Sequence, residues 1–333
     1  MMGNEMKGLY IGTMNLISSS LAEDGMVQLK RLRHGFLKIK IESSMTGILK
    51  NEGLQYAEVG RDLYALGDSA SHMAHVTGQN INRSICNGIL DSKEEKAEII
   101  LKLLIETLIG KANGENSLCC YSVPAETSEG EHRVVYHSEV MNEMLKSLGY
   151  RPLAVNEGLA LVFSSLAARR FTGMGISCGG GLLNVCLAHQ AHMIESFSVD
   201  RGGDWIDENA SKVLGMPLRA VTMAKEKGTA LDLEKPTTRI EKAIAVYYKE
   251  MIRYAIEIMR KRIEGSRKCS IFQDPIDIVF SGAVALPKGF VSIFSQEISK
   301  VGFPLKVGQI SLAHDLEYAI ARGCLIKAMS EVL

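Results

Sequence analysis

No run of about 18 apolar residues occurs in this sequence, so it offers no membrane-spanning helix. Residues 1–7 lack the apolar core of a secretory signal. Cysteine is scattered rather than patterned. Cys86, Cys119, Cys120, Cys178, Cys186, Cys269 and Cys324 are an odd number, seven, with no C-x-x-C pair. This argues against a disulfide framework or a zinc site and fits reduced thiols in a cytoplasm. Neither sign of charge prevails: 38 basic residues stand against 38 acidic ones. A neutral chain has no global attraction for nucleic acid or anionic lipid, so no nucleic-acid partner is expected. It also does little to keep copies of itself apart. There is no short tandem repeat and no low-complexity tract.

What is present is ample material for two cores: 333 residues, 46% hydrophobic. The sixteen methionines are dispersed and read as core filling. Residues 8–14 form a short apolar strand ending in Gly12-Thr13. Turn signals follow at Asp24-Gly25, Gly47 and Asn51-Glu52-Gly53, and 54–66 partly alternates as a half-exposed strand or hairpin does. Leu101, Leu104, Ile105, Leu108 and Ile109 recur at helical spacing within 93–110, where Gly110 ends the helix. A strand at 117–123, a helix at 131–148, a strand at 153–156 and a helix from Glu157 come next. Residues 173–188 read as a hairpin around Gly179-Gly180-Gly181. Helices at 205–214, 217–227 and 240–264, a strand at 276–281 and a helix at 315–331 complete the chain. Two rounds of strands followed by helices make an α/β protein with two halves of similar plan.

Two segments carry ligand-binding chemistry. Ile176-Ser177-Cys178-Gly179-Gly180-Gly181 places three glycines at a hairpin tip, where bare backbone can turn several N–H groups towards an anion. A tight hairpin alone would also explain them. Val199-Asp200-Arg201-Gly202-Gly203-Asp204 leads a glycine turn into an acidic helix start, which suits phosphate at a helix N-terminus or an ordinary capped helix.

The order and spacing of these segments resemble the actin, heat-shock chaperone and sugar kinase superfamily, and most of all the bacterial actins of the MreB type. Gly8-Leu9-Tyr10-Ile11-Gly12-Thr13 resembles the first phosphate loop, and the three-glycine hairpin followed by Gly-Gly-Asp-x-x-Asp-Glu resembles the second. Val123-Pro124-Ala125 is similar to the family's Val-Pro strand end. Val155-Asn156-Glu157-Gly158 is similar to the connecting helix with its acidic residue. Lys225-Glu226 resembles the pair beside ribose and adenine, Ser281-Gly282-Ala283 the adenosine loop, and Ala321-Arg322-Gly323 the closing helix.

The resemblance implies a two-lobed actin-like, ribonuclease H-like fold, each lobe a mixed sheet flanked by helices. Lobe I would span 1–155, with an outer subdomain at about 30–75 and the helix 315–331 packing back on it. Lobe II would span 156–315, with an outer subdomain at about 215–245. ATP would lie in the interlobe cleft against Gly12, Thr13, Gly179, Gly180, Gly181, Gly202, Gly203, Asp204, Lys225, Glu226, Gly282 and Ala283, with Glu157 positioning the hydrolytic water.

The chain departs from the family at its chemistry. Active members carry an aspartate in each phosphate loop to hold magnesium through water; here Tyr10 and Ser177 stand in those places. The residues after the three glycines are Leu182-Leu183-Asn184, and the adenosine loop runs Gly282-Ala283-Val284. Magnesium loses its usual anchor, no other metal site is expected, and hydrolysis should be weak or absent. The resemblance therefore implies a cytoplasmic cytoskeletal or scaffold protein of the kind that sets cell shape. It would form head-to-tail filaments, with contacts to other cytoplasmic proteins and a peripheral membrane contact as further options. Tyr64, Tyr247 and Tyr248 are candidate anchors for stacking, or else core residues. The alternatives are a non-polymerising pseudo-ATPase regulator that binds protein partners, and a chaperone-like ATPase or sugar kinase. The last lacks a candidate catalytic base near a substrate hydroxyl.

Overall fold

The computed structural model describes residues 5–39, 54–86, 88–91, 93–94, 96–126, 133–228, 230–231 and 238–332. The turn signals at Gly47 and 51–53 lie outside these residues. The chain opens with strands β1 (Met6–Ile11), β2 (Asn15–Leu21), β3 (Val27–Arg33), β4 (Phe36–Ile39), β5 (Tyr56–Val59) and β6 (Asp62–Leu66). Helix α1 (Gly67–Thr77), the two-residue strands β7 (Ile85–Cys86) and β8 (Ile89–Leu90), and helix α2 (Ala97–Ile109) follow. Next come β9 (Leu118–Val123), α3 (Arg133–Ser147), β10 (Arg151–Asn156) and α4 (Glu157–Ser165). The second half begins with β11 (Gly173–Cys178), β12 (Leu183–His189) and β13 (His192–Val199), then α5 (Gly203–Leu214), α6 (Leu218–Glu226) and α7 (Arg239–Gly265). It closes with β14 (Ile276–Ser281), α8 (Phe290–Lys300), β15 (Val307–Leu312) and α9 (Ala319–Ser330).

The two large sheets repeat one plan. The first runs β3-β2-β1-β9-β10 and the second β13-β12-β11-β14-β15. In each, the central strand pairs antiparallel with the hairpin strand that follows it and parallel with a strand arriving after helices. Each opening hairpin therefore presents its turn at the same edge of its sheet: residues 12–14 between β1 and β2, and 179–182 between β11 and β12. The β5–β6 hairpin, read from alternation, joins β4 in a small separate sheet.

Local chemistry explains the strongest elements. Helix α2 buries Ile100, Leu101, Leu104, Ile105 and Leu108 on one stripe, the spacing of a helix face. Helix α7 starts on a capping box: Thr238 Oγ1 accepts from the Glu241 amide at 3.1 Å while Glu241 Oε2 accepts from the Thr238 amide at 2.9 Å. Strand β14 is buried at every residue, as a strand covered on both faces must be. Its Phe280 meets Phe290 and Phe294 edge-on, with ring centres 5.2 and 4.7 Å apart, and truncating such a residue to alanine costs about 3–5 kcal/mol.

Helix α9 packs on the first sheet, α4 packs on the second, and the two helices pack on each other. A methyl group on Gly323 would come 1.8 Å from the Ala160 carbonyl oxygen, so the helices cross with backbone nearly against backbone. Tyr64 and Tyr248 belong to the cores: Tyr64 meets Phe36 and Tyr248 meets Phe290, while Tyr247 lies half-buried against Trp205. Tyr64 and Tyr248 are therefore core residues and not stacking anchors, whereas Tyr247 keeps part of its surface exposed.

Candidate functional site

The first loop is braced from behind. Gly12 donates its amide to the Asn15 carbonyl at 3.0 Å, and the His34 amide donates to the Met14 carbonyl at 2.9 Å. The His34 ring sets Nδ1 2.8 Å from the Gly12 carbonyl, which fixes the proton on Nδ1 of the neutral ring. Burial pushes His34 down to about 4, against the opposing Gly12 hydrogen bond, and the Arg83 charge pushes the same way as burial.

The second loop is closed by Gly179, which donates to the Leu182 carbonyl at 2.9 Å. It is bound to the start of α5: Gly203 donates to the Gly179 carbonyl at 3.1 Å and Asp204 to the Gly180 carbonyl at 2.8 Å. The leading amides of this helix thus hold the loop. A methyl on Gly202 would stand 2.3 Å from the Gly180 carbonyl oxygen, which is why the turn is glycine.

Segments far apart in sequence meet here. A methyl on Gly180 would lie 3.3 Å from Met14 Cγ and 3.5 Å from both Asp204 carboxylate oxygens. One on Gly203 would lie 2.9 Å from Val284 Cγ2 and 3.1 Å from Lys225 Nζ. The Gly12-Thr13-Met14 turn, the three-glycine loop, the Gly202-Gly203-Asp204 turn, Lys225 and the Gly282–Val284 segment therefore converge on one place. Gly282 takes φ +97°, and a methyl on it would sit 2.2 Å from the Cys178 carbonyl oxygen. Ala283 points outward and is exposed, whereas Val284 is buried in the core of the second sheet.

Beneath the loops lies a buried polar cluster made from the two positions where the family has aspartates. The Tyr10 ring closes over Gly12, whose missing methyl would meet the ring at 2.7 Å. Burial, then the nearby Glu157 carboxylate, raise the phenol above its ordinary range, while the Ser177 hydroxyl opposes them. Glu157 opens α4, with Asn156 capping through Oδ1 to the Leu159 amide at 3.1 Å. It is 4% exposed, and burial pushes it up to about 7 against the Asn184 hydrogen bond at 2.9 Å and the nearby Ser177 hydroxyl, which is itself buried without a hydrogen-bond partner among the described residues. Asn184 Oδ1 in turn accepts from the Ala125 amide at 3.1 Å. The Ser198 hydroxyl, with one proton, lies 2.5 Å from Asn184 Oδ1 and 2.6 Å from the Ala125 carbonyl.

The remaining site residues are engaged within the protein. Lys225 Nζ donates to the Gly203 carbonyl at 2.8 Å and pairs with the buried Asp207 at 2.8 Å. It therefore anchors α6 to α5. Glu226 is half-exposed and lies 3.9 Å from Arg33 of β3. Two further contacts join the same sides: Arg83 reaches Asp204 at 3.2 Å, and Arg219 of α6 places Nη2 2.8 Å from His75 Nδ1 of α1. Beside the Arg83–Asp204 pair opens a cavity of about 260 Å³ lined by Thr13, Asn82, Arg83, Asp91, Glu94 and Asp204 among others. Sequence reasoning missed His34 and Arg83, which no local motif marks, and it placed Asp207 within the Gly-Gly-Asp-x-x-Asp-Glu segment without seeing its pairing with Lys225.

A magnesium ion held as in active superfamily members does not fit this residue set. Tyr10 and Ser177 offer no carboxylate, and among the described residues no three His, Cys, Asp or Glu side chains come together to hold a metal.

The sequence profile described as Volactin matches residues 6–328. A search of curated proteins finds no match. Among solved structures, the MamK double helical filament superposes with TM-score 0.72 at 16% identity, covering 98% of this chain and 99% of that one. MreB5 of Spiroplasma citri bound to ADP superposes with TM-score 0.69 at 14% identity, covering 99% of this chain and 97% of that one. A non-polymerising MamK mutant bound to AMPPNP gives TM-score 0.60 at 14% identity, over 98% and 99%. At these identities the likeness establishes the fold: two-lobed, actin-like, of the MreB type and divergent.

Proposed function

The chain belongs to the Volactin family, and from that premise we propose an actin-like cytoskeletal or scaffold protein. It binds ATP in the cleft between its halves, assembles head to tail, and hydrolyses ATP weakly or not at all. The observation that carries this reading is the meeting of Met14, Gly180, Asp204, Gly203, Lys225 and Val284 at one place. Four glycine-bearing segments gather there, the kind of bare backbone a phosphate chain can approach closely. The similar MreB5 was solved with ADP and with AMPPNP, and the similar MamK as a double helical filament. Both properties are carried over here as parts of the proposal. So are the lobe boundary at 155/156, a cytoplasmic setting and the site residues Gly12, Thr13, Gly179, Gly180, Gly181, Gly202, Gly203, Asp204, Gly282 and Ala283. Among the described residues no helix is long and apolar enough to cross a membrane.

In this reading Glu157 holds a proton for part of the time near neutrality, the range that suits a general base. Its carboxylate is tied to Asn184 and lies against Tyr10 and Ser177, so it has little freedom to activate a water. Lys225 serves as a strut between helices, and Glu226 is left as the candidate ribose contact.

The test is calorimetric titration with ATP, followed by sedimentation across micromolar concentrations with and without nucleotide. Binding together with pelleting supports the proposal. A chain that binds ATP yet stays monomeric at every concentration is better described as a partner-binding regulator. The internal engagement of Lys225 and the Met14–Gly180 contact favour that second reading, because they hold the site together without a ligand.

A further inference from the structure

The cavity beside the first loop has an uneven charge pattern. Asp91, Glu94 and Asp204 line it, and Arg83 is the one cation on its wall among the described residues. Arg83 follows α1, whereas Asp204 begins α5 of the second half, so their contact spans the two sides. A single 3.2 Å approach joins them, with side chains 30% and 39% exposed. Half-exposed pairs of this kind are weak and exchange readily. Thr13 also lines the cavity. The Thr13 residue is 8% exposed, and its hydroxyl is a donor on this wall.

The loops, meanwhile, lack the carboxylates that would recruit a metal ion to neutralise a triphosphate. A guanidinium can supply that charge itself, binding two phosphate oxygens in a planar fork. We propose that Arg83 leaves Asp204 to grip the terminal phosphate of a nucleoside triphosphate, with Thr13 donating beside it, so that binding distinguishes triphosphate from diphosphate and needs no divalent metal. This rests on the nucleotide-binding reading above and adds to it a named discriminating residue. The exchange also gives the cleft a ligand-dependent contact, because the Arg83–Asp204 link is present only when the phosphate is not.

The experiment is titration of the full chain with ATP and with ADP, each in excess EDTA and in excess magnesium chloride, for wild type, Arg83→Ala, Arg83→Lys and Asp204→Asn. The wild-type Kd for ATP should change less than about threefold between EDTA and magnesium. Arg83→Ala should weaken ATP by about tenfold or more and leave ADP within about threefold, with Arg83→Lys between, since lysine keeps the charge and loses the fork. Asp204→Asn, which frees Arg83, should tighten ATP binding. Circular dichroism should show each variant folded. Magnesium-dependent binding that Asp204→Asn weakens would overturn the proposal in favour of a carboxylate metal site. An equal loss for ATP and ADP in Arg83→Ala would also overturn it. Tight wild-type binding indifferent to Arg83 sinks this proposal alone, whereas a wild type that binds neither nucleotide sinks the nucleotide reading with it.

Discussion

Asn184 donates its side-chain amide to Glu157 Oε2 across 2.9 Å, so the residue following the glycine loop holds the carboxylate that opens the connecting helix. Both side chains are buried, at 3% and 4% exposure. Asn184→Ala strips partners from Glu157 and from the Ala125 amide, and an unsatisfied buried group costs about 1–3 kcal/mol. Urea unfolding should show a loss of that size. Asn184→Asp would set two carboxylates together, which one shared proton relieves. Its loss should be larger at about pH 8 than at about pH 5, since the proton is scarcer at the higher pH. Equal losses at both would mean that Asn184 does not face an ionising group.

Glu157 and His34 give stability opposite pH dependences. Glu157 is raised from 4.5 to about 7, so its protonated form is favoured by folding. The stability it contributes is full below about pH 4.5 and is lost as pH rises through about 7, by roughly 3 kcal/mol at most. His34 is lowered from 6.5 to about 4, so its contribution is full above 6.5 and lost as pH falls through about 4. The stability advantage of wild type over Glu157→Gln should therefore shrink from about pH 5 to about pH 8. Its advantage over His34→Gln should shrink in the other direction. Denaturation curves at several pH values decide both; a flat difference for either variant removes that residue from the account.

Much of this was legible in the sequence, and the gaps have physical reasons. The stripe Leu101, Leu104, Ile105 and Leu108 announces α2 because one of its faces is apolar, and the partial alternation in 54–66 announces the β5–β6 hairpin although β6 buries Leu63, Tyr64, Ala65 and Leu66 on both its faces. Helix α1 went unread: its buried residues are Gly67, Ser69, Ala70 and Ala74, too small to mark a stripe. The glycine loops could be read because close backbone approach demands glycine itself. Lys225 could be located, but its role could not, since its partner Asp207 lies on another helix. Arg83 sits between α1 and β7, where no periodicity draws attention to it.

The adenosine-loop glycine is a stability determinant. Gly282→Ala must hold a side chain at φ +97° and push a methyl onto the Cys178 carbonyl, so it should cost about 2 kcal/mol or more. Ala283→Gly, at an exposed position of the same turn, should cost less than about 1 kcal/mol. Thermal melts of the pair give the comparison, and equal shifts would contradict the geometry.

Phosphate release from ATP should be at least about 100-fold slower than in a bacterial actin that retains both loop aspartates, the size of loss expected when electrostatic stabilisation of the transition state goes. Turnover at an intact member's rate, abolished by Glu157→Gln, would show that another acid has taken over. Slow hydrolysis has a consequence for assembly: filaments, where formed, should outlast their nucleotide supply, which dilution after polymerisation would reveal.

The crossing of α4 and α9 at Gly323 and Ala160 makes the molecule a pair of shears. The blades meet without a washer, and the rivet is made of main chain. A joint that tight transmits rotation and tolerates little slippage. At the tips, Arg83 and Arg219 reach across from one blade to the other. One methyl at Gly323 would overlap the Ala160 carbonyl, so the blades, and the two sheets they carry, would have to part at the rivet.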